Sequence, residues 1–212
     1  MNLNFSIVIP VYNRPQEIDE LLESLCKQDF SDAFEVLVIE DGSSEKCDEI
    51  IAKYKSKLNV TYLFKENSGA GASRNFGMDH ANGNYFIILD SDVLVPNQYL
   101  SSVKRTLEQS YTDAFGGPDA AHSSFTVLQK AINYSMTSVL TTGGIRGKKN
   151  VANNFQPRSF NMGLSKSVFE ATGGFGKHKV GEDIDLSLRI REMGFTSQLI
   201  SEAFVYHKRR TS

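Results

Sequence analysis

Three acidic clusters carry the side chains best suited to chemistry. Asp90-Ser91-Asp92 follows the apolar run Tyr85-Phe86-Ile87-Ile88-Leu89. Two carboxylates at this spacing on a strand end can share a hard divalent cation, with phosphate oxygens completing the octahedron. The same tripeptide also serves as an ordinary polar turn. Glu40-Asp41-Gly42-Ser43 closes a second apolar run. It reads either as an Asx turn or as a carboxylate that accepts hydrogen bonds from the N–H edge of a base. Gly181-Glu182-Asp183 places two acids at a helix start. The helix dipole favours them there in any case, and one of them is also placed to act as a general base.

Two further features are weaker. Gly69-Ala70-Gly71-Ala72-Ser73-Arg74 begins like a dinucleotide fingerprint, but it follows the third strand and has Arg74 where the third glycine belongs. It reads better as a helix N-terminus whose amides, with Arg74, face an anion, or equally as a Gly-rich loop with a surface arginine. His207 stands at a strand end beside Lys208, Arg209 and Arg210. A lone histidine in such a place is more often a surface or packing residue than a ligand.

The elements that must position these residues are legible as apolar runs. Strands are expected at 6–11, 34–39, 60–64 and 85–89, with Pro10 near the end of the first rather than in its middle. Between them, Asn13 is placed to cap a helix and Pro15 suits its first turn. Ile18, Leu21, Leu22 and Leu25 recur on one face of that helix. A polar helix is expected near 46–57, and another runs from the Gly-rich turn at 67–71 to about Ala81. Apolar strands alternating with helices across short loops predict an α/β fold with a parallel sheet covered on both faces. Ligands bind such sheets at the carboxyl ends of the strands, where Tyr12-Asn13-Arg14, Glu40-Asp41 and Asp90-Ser91-Asp92 all fall. In the second half, a helix is expected around 125–140 and a mobile loop at 141–158. A strand and turn at 160–164 lead to a helix ending at Gly173-Gly174. The helix opened by Gly181 has Leu186, Ile190 and Met193 on one face, with Gly194 as its stop. A last strand covers 203–206.

The bulk composition excludes several classes. The chain has 212 residues, 40% hydrophobic and 23% charged, which suits one globular domain. A formal net charge of -2 lacks the basic surface that nucleic-acid capture needs, so no nucleic-acid partner is expected. Cys26 and Cys47 form no metal-binding spacing and read as free thiols in a reducing compartment. No secretory leader and no apolar run near ~20 residues is present, so a cytoplasmic protein is expected.

Taken together and in order, these motifs resemble those of family 2 glycosyltransferases of the GT-A type. The similarity runs over nearly all of the chain and is weakest at about 111–157. It rests on Ser6–Asn13, Val38–Ser44, Asn67–Gly77, Asp90–Asp92, Asn161–Leu164, Gly173–Phe175 and Gly181–Leu186 with Arg189. The resemblance implies a Rossmann-like, mostly parallel sheet flanked by helices in a single domain over 1–212. Residues 1–110 would form its nucleotide-binding half and 111–212 its acceptor-binding half. It further implies that Pro10, Tyr12 and Asp41 border the base, with Asp41 accepting from it. Asn13, Asn67, Arg74 and Ser91 would lie on the donor side. Asp90 would hold the ribose or the metal, Asp92 the metal, and His207 the metal on the pyrophosphate side. Asp183 would be the base, and Glu182 would help to hold the acceptor. The expected cofactor is Mn²⁺ or Mg²⁺.

The implied activity is inverting transfer of a sugar, from a UDP-sugar in first place, to a saccharide or lipid-linked acceptor in cell-surface polysaccharide synthesis. Many relatives continue beyond a position like His207. The Lys208-Arg209-Arg210 ending is therefore expected to open a missing C-terminal segment, one that attaches the protein peripherally to the inner face of the membrane. Two other readings remain at this point. A sugar nucleotidyltransferase would need a Gly-rich, Arg-containing loop straight after the first strand, and Tyr12-Asn13-Arg14-Pro15 is not one. A nucleotide-sugar-binding protein without catalysis would bind donor and not turn it over.

Overall fold

A computed structural model describes residues 2–122, 125–128, 131, 156–178 and 180–208. The first apolar runs form β1 (Phe5–Val11), β2 (Glu35–Asp41), β3 (Asn59–Lys65) and β4 (Tyr85–Leu89), with α1 (Pro15–Leu25), α2 (Asp48–Ala52) and α3 (Ala70–His80) between them. The short strand β5 (Val93–Leu94) and α4 (Tyr99–Gln109) follow, then β6 (Ala114–Gly116) and β7 (Asp119–Ala120). The second half contributes β8 (Asn161–Ser165), α5 (Lys166–Thr172), α6 (Glu182–Glu192), β9 (Ser197–Leu199) and β10 (Val205–His207).

The main sheet has seven strands in the order β3-β2-β1-β4-β8-β6-β9. β3, β2, β1 and β4 are parallel to one another. β8 runs antiparallel to both β4 and β6, so the sheet is mixed at the side where the chain returns from its second half. Alternate residues of the central strands feed two cores. Phe5, Ile7, Ile9 and Val11 of β1 pack with Ile18, Leu21 and Leu22 of α1 and with Tyr99, Leu100 and Val103 of α4. On the other face, Val8, Leu37, Ile39 and Ile88 pack with Met78 of α3, Val168 of α5, and Leu186 and Ile190 of α6. Burial on both faces explains why these strands read as continuous apolar runs. Each such side chain contributes about 1.5–3 kcal/mol of transfer free energy.

A second, three-stranded sheet has the order β5-β10-β7. Here β10 pairs antiparallel with β5, opposing His207 to Val93 and Tyr206 to Leu94. The imidazole is thereby delivered next to the Asp90-Ser91-Asp92 turn.

Several local expectations are corrected. Asn13 does not cap α1, whose capping position is Arg14 and carries no side-chain cap. Asn13 instead has a positive φ of 51°, a left-handed conformation that asparagine tolerates better than most residues. The helix expected near 46–57 is confined to Asp48–Ala52 and gives way to turns. Glu40 and Asp41 belong to β2 rather than to the turn that follows it. Met193 is 52% exposed and caps α6 instead of sharing its buried face. Most of the helix expected around 125–140, and all of the loop at 141–158 except 156–158, lie outside the described residues.

Gly77 sets how closely α3 approaches the sheet. A Cβ there would come within 2.5 Å of Val8 Cγ1 and 2.6 Å of Ile39 Cδ1. Gly77→Ala gains about 1 kcal/mol of helix propensity but overpacks the core at a cost of about 1–3 kcal/mol. A net destabilisation on the order of 1 kcal/mol is expected, read as a lower urea midpoint at unchanged slope. A raised midpoint would show that the α3–sheet contact is not tight.

Candidate active site

The carboxyl ends of β1, β2 and β4 open on a crevice of about 250 Å³. Pro10, Tyr12, Arg14, Asp41, Arg74, Asp90, Ser91 and Asp92 line it. Tyr12 is 53% exposed. The expected donor-side residues Pro10, Tyr12, Asp41, Arg74, Asp90 and Ser91 are thus brought together. Asn13 is not in the lining. Its Oδ1 accepts from Ser44 N at 2.8 Å and Glu45 N at 3.0 Å, and its own amide donates to Ser43 Oγ at 2.8 Å. It ties the turn after β1 to the turn after β2, which is a structural task. Glu40 does similar work from inside, because its fully buried carboxylate accepts from Ser43 Oγ and, at 2.9 Å, from Cys47 N.

Asp41 is nearly buried and heavily engaged. It accepts from Lys65 Nζ at 2.5 Å, Ser68 N at 3.0 Å and Gly69 N at 2.9 Å. Burial opposes its charged form, but these donors, Lys65 first, outweigh burial and hold its carboxyl below the usual range. Asn67 donates from Nδ2 to the Asp41 carbonyl at 2.8 Å. It faces a second, larger hollow of about 890 Å³ on the far side of Ala70, which Phe175 and Glu182 also border. Asn67 therefore backs Asp41 rather than lining the first crevice.

Asp90, Asp92 and His207 each present one ligand atom, and these atoms all lie within 4.8 Å of one another. His207 Nε2 is 3.2 Å from Asp92 Oδ1, while Arg14 pairs with the other oxygen of Asp92. Burial again opposes the charge on Asp92. The hydrogen bond and charge of His207, then those of Arg14, overcome it and hold its carboxyl down at about 2. His207 Nδ1 is buried without a hydrogen-bond partner among the described residues. Two carboxylate oxygens and an imidazole form a donor set that suits Mn²⁺, and less specifically Mg²⁺. The residues present fit the expected ion.

Arg74 links this cluster to the next element. It is only 4% exposed. Its Nη2 donates to Asp90 Oδ1 at 2.8 Å, its Nη1 donates to Glu182 Oε1 at 3.0 Å, and the guanidinium lies over the Phe175 ring at 5.1 Å. Glu182 and Asp183 open α6 just after Gly181, whose φ of 78° turns the chain into the helix. Asp183 is nearly buried. Its Oδ1 accepts from Ile184 N at 2.9 Å, and its Oδ2 forms an ion pair with Arg158 Nε at 2.9 Å. Three cations escaped the sequence reading as partners of site carboxylates: Arg14, Lys65 and Arg158. Arg14 sits in a polar cluster that the sequence does flag, but which carboxylate each cation meets depends on the tertiary fold.

The family model of Glycosyl transferase family 2 matches residues 6–173. The chain belongs to that family. Among curated proteins, it is 35% identical over 114 residues to the poly(ribitol-phosphate) beta-N-acetylglucosaminyltransferase TarS of Staphylococcus aureus, covering 52% of this chain and 20% of that protein. It is 29% identical over 235 residues to the chondroitin synthase of Escherichia coli, covering 96% of this chain and 34% of the synthase. The chain thus spans a fifth to a third of the length of these relatives. Among solved structures, S. aureus TarS 1-349 in complex with UDP-GlcNAc superposes with a TM-score of 0.76 at 24% identity, covering 99% of this chain and 60% of that one. The mannosyltransferase PcManGT of Pyrobaculum calidifontis, in complex with GDP-Man and Mn²⁺, gives a TM-score of 0.76 at 17% identity, covering 100% and 58%. At these identities the two structures establish the GT-A fold.

The matched segment of this family 2 chain ends before α6 and β10, so Glu182, Asp183 and His207 lie beyond it. Geometry is what brings Glu182 to the crevice, through Arg74, and His207, through Asp92. Arg74→Ala would leave Asp90 and Glu182 without their shared cation. A loss of about 2 kcal/mol is expected from two charged hydrogen bonds. This is less than the roughly 3–5 kcal/mol for a fully buried pair, because both carboxylates keep some contact with water. Arg74→Lys should recover only part, since one ammonium does not span two carboxylates as the guanidinium fork does. Denaturant midpoints check this, and an Arg74→Ala protein as stable as wild type would show that the bridge holds nothing.

Proposed function

We propose that this family 2 chain is an inverting, metal-dependent glycosyltransferase. It moves a sugar from a UDP-sugar to a saccharide or lipid-linked acceptor in cell-surface polysaccharide synthesis. The observation that carries the reading is the convergence of Asp90, Asp92 and His207 within 4.8 Å of one another, at a crevice whose lining also includes Tyr12 and Asp41. The UDP-GlcNAc bound to TarS supports the choice of donor class, and the Mn²⁺ bound to PcManGT supports the choice of ion.

In this reading Pro10 and Tyr12 pack against the base, and Asp41 accepts from its N–H edge. Asp90, Asp92 and His207 hold Mn²⁺ or Mg²⁺, which when bound would neutralise charge on the departing diphosphate as a Lewis acid. Arg74 and Arg14 add fixed positive charge along the same wall. Asp183 takes the proton of the attacking hydroxyl, and Glu182 helps to orient the acceptor. One base and one direct displacement give inversion. Residues 1–110 serve the donor and 111–212 the acceptor. No described helix is long and apolar enough to cross a membrane. We place the protein in the cytoplasm, at the inner face of the membrane where lipid-linked acceptors are elongated.

The test is UDP release from UDP-GlcNAc, UDP-glucose and UDP-galactose with Mn²⁺ and a panel of saccharide acceptors, using wild type and Asp183→Asn. Wild type should turn over at least one donor. Asp183→Asn should keep the donor Kd and lose on the order of a hundredfold or more in rate, as when a general base is removed. Near wild-type release by Asp183→Asn would remove the base assignment. No release from any of the three by wild type would remove the UDP-sugar reading.

A further inference from the structure

The two sets of reacting-site carboxylates sit on elements far apart in sequence: Asp90 and Asp92 follow β4, and Asp183 opens α6. One short stretch, residues 157–161, touches both. On the α6 side, Arg158 Nε lies 2.9 Å from Asp183 Oδ2, and Ser159 N donates to the same oxygen at 3.4 Å. Ser187, one helical turn further along α6, donates from Oγ to the Pro157 carbonyl at 2.9 Å. On the metal-site side, Asp90 N donates to the Phe160 carbonyl at 3.3 Å. The Phe160 ring lies against His207, with centroids 5.3 Å apart.

The stretch is itself anchored. Asn161 is fully buried, with Tyr99 OH donating to its Oδ1 at 2.6 Å and its Nδ2 donating to the Ala203 carbonyl at 2.7 Å. Asn161 N also donates to the Arg158 carbonyl at 3.0 Å, which closes the turn. Among the described residues, Asp183 Oδ1 is held by the amide of the next residue in its own helix alone. Oδ2 is held by the Ser159 amide and by the charge of Arg158, whose Nε approaches it as an ion pair without hydrogen-bond geometry.

We propose that Arg158 is a positioning residue for the base. It fixes the Asp183 carboxylate relative to the Asp90–Asp92–His207 cluster through the shared 157–161 stretch. The inference rests on Asp183 being the base. In that step the acceptor oxygen bonds to the anomeric carbon as the bond from that carbon to the diphosphate oxygen breaks. The diphosphate leaves with the bonding pair, and the hydroxyl proton passes to Asp183. A carboxylate displaced by about 1 Å from a productive position can cost on the order of a hundredfold in rate, so a residue that never meets substrate can still control kcat.

The experiment is a double-mutant cycle on kcat for UDP release from UDP-GlcNAc with Mn²⁺, or from whichever UDP-sugar the wild-type protein hydrolyses fastest. The variants are Arg158→Ala, Arg158→Lys, Asp183→Asn and the Arg158→Ala/Asp183→Asn pair. Arg158→Ala should lower kcat by about tenfold to a hundredfold and leave the donor KM and the Kd for UDP unchanged. Added guanidinium should restore part of that loss, and Arg158→Lys should fall between Arg158→Ala and wild type. In the Asp183→Asn background, Arg158→Ala should cost nothing further. Losses that multiply in the double mutant, or a kcat loss without rescue that tracks a fall in melting temperature and UDP binding, would overturn the positioning role while leaving the base in place. A wild-type rate in Asp183→Asn alone would overturn the base reading, and this inference with it.

Discussion

Carboxylates gathered in and around one crevice repel one another, and this fold depends on setting a cation against each of them. Asp41 is held by Lys65, Asp90 and Glu182 by Arg74, Asp92 by Arg14, and Asp183 by Arg158. Without such pairing the parallel strands could not end in so many acids at one place. A buried charge left alone costs several kcal/mol, and the cost is offset only by close partners and further hydrogen bonds. The partners come from other elements of the chain. Lys65 ends β3, Arg74 lies in α3, Arg14 precedes α1 and Arg158 precedes β8. Charge compensation therefore also fixes how the two halves of the chain meet.

Arg74 shows the consequence most directly. It is buried in α3 and reaches Asp90 on one side and Glu182 on the other. The helix carrying it is pressed to the sheet at Gly77, where no side chain would fit without displacing Val8 or Ile39. The segment beyond α5 is clamped to the same helix. Asn75 Nδ2 donates to the Phe175 carbonyl at 2.9 Å and Asn75 Oδ1 accepts from Phe175 N at 2.8 Å. From α6, Arg189 donates to the carbonyls of Thr172 and Gly174 at 2.7 and 2.8 Å. Packing and polar contacts thus cooperate to bring the start of α6 to the crevice.

Much of this was legible in the sequence. The buried strands β1, β2 and β4 appear as apolar runs, and the acidic clusters lie at the carboxyl ends of β2 and β4 as a parallel sheet requires. What escaped depends on contacts between distant segments. His207 beside Asp92 was expected through the family resemblance alone, because the β10–β5 pairing that places it there is a register that no local pattern encodes. The antiparallel entry of β8 between β4 and β6 is likewise a tertiary choice. Asn13 looked like a helix cap because asparagine suits one, yet the same small polar side chain bridges two turns from a left-handed backbone. Met193 fell on the right helical spacing but at the frayed end of α6, where the spacing no longer determines burial.

The central claim is that Asp90, Asp92 and His207 make nucleotide binding depend on a divalent ion. Calorimetric titration of UDP into the protein, with Mn²⁺ and then with chelator, tests it most directly. Mn²⁺ should tighten UDP binding by at least about tenfold, some 1.4 kcal/mol. Equal UDP affinity with Mn²⁺ and with chelator would contradict it.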